Sequence, residues 1–173
     1  MHNKVVYRVA RALNQAGLIT LRINFRGVGL STGTHDNARG EQDDARHALD
    51  YLIEHYPGAP VTLAGFSFGS RVGLEVGIND ARVRNLIGIG TPLNMYDFSF
   101  LEACRKPVLF VHGANDEFGD AESVRRLAAR LPSEAHARAE IIPDTAHFFE
   151  RKLDEMESII RDWMVTMIRA ADG

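Results

Sequence analysis

Ser67, Asp116 and His147 are the residues of this chain whose types and placement could do chemistry, since each follows a short apolar stretch. Ser67 lies in Gly65-Phe66-Ser67-Phe68-Gly69, after the β-rich run Val61-Thr62-Leu63-Ala64. Behind it, Ser70-Arg71-Val72-Gly73-Leu74-Glu75-Val76 reads as a helix packed on one face. A serine between two glycines at a strand-to-helix junction fits a nucleophile elbow. Such a turn is sharp and strained, and glycines at 65 and 69 are expected to relieve collisions with the neighbouring strand and helix. The strain lifts the Ser67 hydroxyl above the sheet edge and aims the Phe68 N–H at an incoming carbonyl oxygen. The plainer alternative is a Gly-rich turn that happens to hold a serine.

A serine hydroxyl is a weak nucleophile at neutral pH and needs an adjacent base. Val-rich 107–112 runs into Gly113-Ala114-Asn115-Asp116, and the strand expected to end at Ile142 runs into Pro143-Asp144-Thr145-Ala146-His147. His147 is then a candidate base, and Asp116 a candidate acid to orient its imidazole. Asp144 and Asp120 are rival acids, the first too near His147 in sequence and the second further from its strand end. Taken singly, an aspartate in such a loop is also a turn former or helix cap. A histidine before two phenylalanines is also a structural residue. His112 reads as a strand end without catalytic duty, and histidines 2, 35, 47, 55 and 136 as inert surface residues.

Positioning these side chains requires alternating helices and strands, and the chain reads that way from end to end. Helical spacing covers 3–16, with Gly17 as cap, followed by a buried strand over 18–24 and a polar, Gly-rich loop to about Gly40. Further helices are expected over 43–54, 68–78, 122–131 and 150–169, and further strands over 61–66, 83–90, 107–112 and 139–142. That rhythm implies an α/β fold, a mostly parallel sheet with helices on both faces, in one domain over 1–173. In such sheets the chemistry collects at the carboxyl ends of the strands.

Bulk properties narrow the class. The 173 residues suffice for one substantial core; 45% are hydrophobic and 25% charged, as in ordinary globular proteins. A net charge of -3 offers no basic footprint for nucleic acid or anionic lipid. No apolar run reaches membrane-spanning length and Met1-His2-Asn3-Lys4 has no signal-peptide core, so a cytoplasmic setting is expected. Cys104, the single cysteine, rules out a disulfide framework. No cofactor is expected. Arg26-Gly27-Val28-Gly29-Leu30-Ser31-Thr32-Gly33 follows a strand-like run but has threonine where a dinucleotide fingerprint wants its third glycine or alanine. It reads instead as a loop bordering the pocket, with Arg26 hydrogen-bonded or ion-paired to an acidic neighbour. A metal site at His112 and Asp116 has no evident third ligand.

Asn24-Phe25-Arg26-Gly27-Val28-Gly29, Gly65-Phe66-Ser67-Phe68-Gly69 and His147-Phe148-Phe149 together resemble the α/β-hydrolase superfamily, and within it the small lidless bacterial hydrolases of undefined substrate. The resemblance covers nearly the whole chain. It implies Ser67 as nucleophile, Asp116 as acid, His147 as base and Phe68 as a backbone oxyanion donor. Only about fifteen residues separate Pro92 from Pro107, so a short loop is expected where the superfamily usually inserts a lid. Members of the group carry an upstream strand and a His-Pro, Gly-Gly loop that supplies a second oxyanion N–H, so the resemblance implies an N-terminally truncated sequence. The activity expected is hydrolysis of an ester or thioester of a small acyl group. Phe25, Arg26, Phe66, Leu93 and Phe148 are candidate substrate-binding residues. The alternatives are acyl transfer to an alcohol by the same residues, or a non-catalytic binding protein that keeps the shell. An unpaired strand edge would favour a homodimer, which sizing in solution tests.

Overall fold

The computed structural model describes residues 3–172. Helix α1 (Lys4–Gln15) begins at Asn3, whose side chain accepts from the N–H groups of Val5 and Val6 at 2.9 and 3.2 Å. It ends as its pattern predicts: Gly17 adopts φ +94° and the Leu18 N–H reaches back to the Leu13 carbonyl at 3.1 Å. Then come α2 (Arg39–His55), β1 (Val61–Phe66), α3 (Phe68–Asn79), β2 (Val83–Ile89), β3 (Val108–Gly113), α4 (Ala121–Arg130), β4 (Arg138–Ile142) and α5 (Leu153–Asp172). Two 3-10 turns, Ser99–Ala103 and Ser133–Ala135, were not foreseen. The first occupies the 92–107 connection, which holds no folded lid.

The four strands form one wholly parallel sheet in the order β1-β2-β3-β4. Burial on both faces explains the near-continuous apolar run of β3, which is buried throughout. Successive residues alternate between two cores: Leu86, Val108 and Phe110 face α2, α3 and α4, whereas Ile87, Ile89, Leu109 and Val111 face α1 and α5. On the second face, Val5, Val9, Ala12 and Leu13 of α1 lie with Met156, Ile160, Trp163 and Met164 of α5. Arg8 and Arg11 of α1 both pair with the buried Glu157 of α5. No helix among the described residues is long and apolar enough to cross a membrane.

Two expectations need correction. The 18–24 run is not a buried strand: it has no regular secondary structure, and Ile19, Leu21 and Ile23 are 65%, 41% and 36% exposed. Its residues alternate between more and less exposed, so the two-residue period of a strand is present. A ladder, however, needs a neighbour, and β1 pairs only with β2. Helix α2 also starts earlier than its apolar spacing suggests. The buried Glu41 carboxylate accepts from the N–H groups of Asp36 and Ala38, both at 3.0 Å, and so closes the first turn four residues early.

Candidate active site

The strands deliver Ser67, Asp116 and His147 to one edge because the parallel ladder continues just beyond each strand. Ser67 N–H donates to the Ile89 carbonyl, Gly90 N–H to Val111, and Ala114 N–H to Ile142, each at 2.9 Å. Every loop therefore leaves the sheet from a fixed point. Ser67 lies between β1 and α3 with φ 53° and ψ −124°, a conformation that costs a non-glycine residue about 1–3 kcal/mol. Gly65 makes the turn possible: a Cβ there would meet the Gly69 carbonyl oxygen at 2.1 Å and the Ser70 nitrogen at 2.7 Å. Gly69 does not share this duty. Its Cβ position has only a Phe25 ring carbon near it, at 3.9 Å, so the expectation of a steric need at both glycines holds only for 65.

The three candidate side chains form a continuous hydrogen-bonded chain. His147 Nδ1 lies 2.8 Å from Asp116 Oδ2, and His147 Nε2 lies 2.9 Å from Ser67 Oγ. A carboxylate only accepts, so Nδ1 carries the proton and donates to Asp116. Nε2 then presents its lone pair, to which the Ser67 hydroxyl donates. Asp116 Oδ1 accepts from the Phe118 N–H at 2.9 Å, which fixes the second carboxylate oxygen. Asp116 and His147 are both buried, and charge–charge attraction is stronger in such surroundings than in water. The rival acids lie elsewhere. Asp120 caps α4 by accepting from Ser123 N–H at 2.9 Å, and Asp144 occupies a turn with φ 56°.

Aromatic rings hold the imidazole. Phe66, Phe118 and Phe148 have centroids 4.8, 4.6 and 5.2 Å from that of His147, the last two edge-on. Gly90, with φ +54°, leaves room for it: a Cβ there would lie 3.1 Å from His147 Cε1. Gly113 does the same for the His147 segment, since a Cβ would meet the Ala146 carbonyl oxygen at 2.5 Å. Phe118, Gly90 and Gly113 were missed by sequence reasoning, and a glycine at each strand end was the available signal.

Of the proposed pocket residues, Phe66 and Phe148 touch the imidazole. Phe25 instead packs edge-on against Phe68 at 5.8 Å. Leu93 is half-buried beside the first core, its N–H bonded to the Thr91 carbonyl. Arg26 is bound to Asp44 through its backbone N–H at 2.9 Å and Nη2 at 2.8 Å, the acidic partner expected for it. That pairing raises the Arg26 pKa and holds the Asp44 carboxyl below its ordinary range. Arg26 lines a cavity of about 630 Å³ with Leu21, Ile23 and Tyr51, and Ser67 is not part of its wall. His35 is a surface residue, its side chain 58% exposed, that pairs with Glu41 at 2.7 Å and packs edge-on against Phe68 at 5.1 Å, while Tyr96 approaches the same ring at 5.9 Å. His2 lies outside the described residues.

Residues 2–105 match the alpha/beta hydrolase fold family. The chain belongs to that family. This alpha/beta hydrolase fold chain is 38% identical over 174 residues to the uncharacterized protein RP471 of Rickettsia prowazekii, covering 96% of this chain and 73% of that one. It is similar in structure to an alpha-beta serine hydrolase homologue from Coxiella burnetii, with 34% identity and a TM-score of 0.86, covering 94% of this chain and 76% of the other. It is also similar to XC6422 from Xanthomonas campestris, a serine hydrolase without a lid, with 36% identity, a TM-score of 0.85, and coverage of 94% and 72%. The small, lidless alpha/beta hydrolase implied by the sequence motifs is thus the family and fold found.

Proposed function

We propose that this protein is a serine hydrolase that cleaves an ester or thioester of a small acyl group through an acyl-enzyme. One observation carries the reading: the unbroken path from Ser67 Oγ through His147 to Asp116, with bonds of 2.9 and 2.8 Å. Ser67 Oγ attacks the substrate carbonyl carbon as His147 Nε2 takes its proton. The imidazolium that forms stays paired with the Asp116 carboxylate. The carbonyl oxygen gains the negative charge and faces the Phe68 N–H at the start of α3, whose dipole favours an anion there. The intermediate collapses, the alcohol or thiol leaves with the proton from Nε2, and the acyl group remains on Ser67. Water then gives a proton to Nε2, attacks the acyl carbon, and expels Ser67 Oγ, which recovers the proton.

Phe66 and Phe148 beside the imidazole offer apolar surface to the acyl or leaving group, whereas Phe25, Phe68 and Leu93 pack against the core on the other face of the sheet. The absence of a folded lid over 92–107 suits small, exposed ester substrates. A fluorophosphonate, which captures activated serines, tests the proposal. The wild type should label and Ser67→Ala should not. A folded wild-type protein that takes no label would instead be a binding protein with a hydrolase shell.

A further inference from the structure

Beyond the three residues of the relay lies a second histidine, His112, 0% exposed near the end of β3. Its Nε2 lies 2.6 Å from the Gly119 carbonyl oxygen, and that oxygen can only accept. Nε2 therefore carries the proton. Nδ1 is buried and has no partner. A buried imidazole nitrogen without a protein partner costs free energy that a phenylalanine in the same space would not, and the Nε2–H bond offsets part of that cost.

That bond closes the loop bearing Asp116. The first half of the 113–119 segment is tied by backbone: Ala114 N–H to the Ile142 carbonyl and Asn115 N–H to Thr145, both at 2.9 Å. The second half is tied by Asn94 N–H to the Phe118 carbonyl at 2.9 Å and by His112 to Gly119. Between these anchors stands Asp116. His112 Nε2 is also 3.6 Å from Asp116 Oδ2, the oxygen that accepts from His147. This is too far for a hydrogen bond but near enough for the polarised N–H to favour the carboxylate.

We propose that His112 is a positioning residue: by clamping Gly119 it holds the 113–119 loop so that Asp116 Oδ2 meets His147 Nδ1. The proposal rests on the serine-hydrolase reading for its consequence in activity, but not for its geometry. The charged or titratable groups facing His112 are Asp116 on its own loop, His147 from the β4–α5 connection and Asp120 at the start of α4. Burial lowers the His112 pKa, which favours the uncharged ring.

The test compares His112→Phe, which keeps a ring and removes the donor, with His112→Gln, whose amide can still donate to Gly119. Two readouts are taken on folded protein: the downfield proton resonance of the hydrogen-bonded His147 Nδ1–H, and fluorophosphonate labelling against pH. His112→Phe should lose the resonance, label roughly tenfold to a hundredfold more slowly, and shift its labelling midpoint to lower pH, because the imidazolium loses its carboxylate partner. His112→Gln should keep the resonance and the wild-type midpoint. Should His112→Phe fail to fold, His112→Asn, one methylene too short, takes its place. An unchanged resonance and midpoint in the donor-less variant, or equal loss in His112→Gln, overturns the proposal. If the wild type shows the resonance but never labels, the hydrolase reading falls while the resonance still decides the role of His112.

Discussion

Replacing Gly65 and Gly69 by alanine, one at a time, separates two glycines that look equivalent in the pentapeptide. At 65 the added methyl would sit 2.1 Å from the Gly69 carbonyl oxygen and 2.4 Å from its carbon, both backbone atoms with no rotamer to escape into. Ordinary contact demands a retreat of about 1 Å between β1 and the first turn of α3, and overpacking of this kind costs about 1–3 kcal/mol. Ser67 lies between the two, so its hydroxyl moves off the 2.9 Å contact with His147 Nε2. A displacement of that size typically costs about a hundredfold in rate. At 69 the methyl would meet nothing nearer than 3.9 Å, and removing a helical glycine gains about 0.5–1 kcal/mol. Chemical denaturation and the rate of fluorophosphonate labelling measure both effects. Gly65→Ala should be less stable and label about a hundredfold more slowly; Gly69→Ala should be at least as stable as wild type and label within a few-fold of it. A Gly65→Ala protein that labels at the wild-type rate, or equal damage from both variants, would refute the steric argument.

Other predictions concern the carboxylates. Asp116→Asn should fold but label about 10⁴-fold more slowly, because an amide can donate to Nδ1 and leave the imidazole in the wrong tautomer. The measurement is labelling rate alongside the melting temperature. Glu41 is buried, which alone would raise its pKa, but the N–H groups around it and His35 outweigh this and hold it below its ordinary value of 4.5. Its contribution to stability is therefore complete above pH 4.5 and is lost as the pH falls through the lower folded value. Denaturation followed from pH 6 to pH 3 should show a shallower acid decline in Glu41→Gln than in the wild type; identical slopes would contradict the assignment.

The elements that form the sheet were legible because each carries its own signal. Apolar runs broken by Gly or Pro marked β1 to β4, and Asn3 with Gly17 bracketed α1. The 18–24 run shows where such reasoning stops: its composition and period are those of a strand, but pairing is a property of the neighbours and not of the segment. The start of α2 was hidden for a related reason, since Glu41 supports the turn through backbone groups ahead of it and not through apolar spacing. Within the candidate site, Ser67, Asp116 and His147 were legible from position at strand ends. Phe118, Gly90 and Gly113 were not, because their roles depend on what packs against them. His112 is the strand-end residue and His35 the surface residue that the sequence suggests, but their contacts with the Gly119 carbonyl and the Phe68 ring carry no sequence signal.

Covalent catalysis by Ser67 is tested most directly by quenching the protein in acid during turnover of p-nitrophenyl acetate and locating any acetyl group by peptide mass spectrometry. The account predicts one acetyl group, on the peptide carrying Ser67, absent when Ser67 is replaced by alanine. Turnover with no adduct on that peptide, or unchanged turnover in Ser67→Ala, would contradict it.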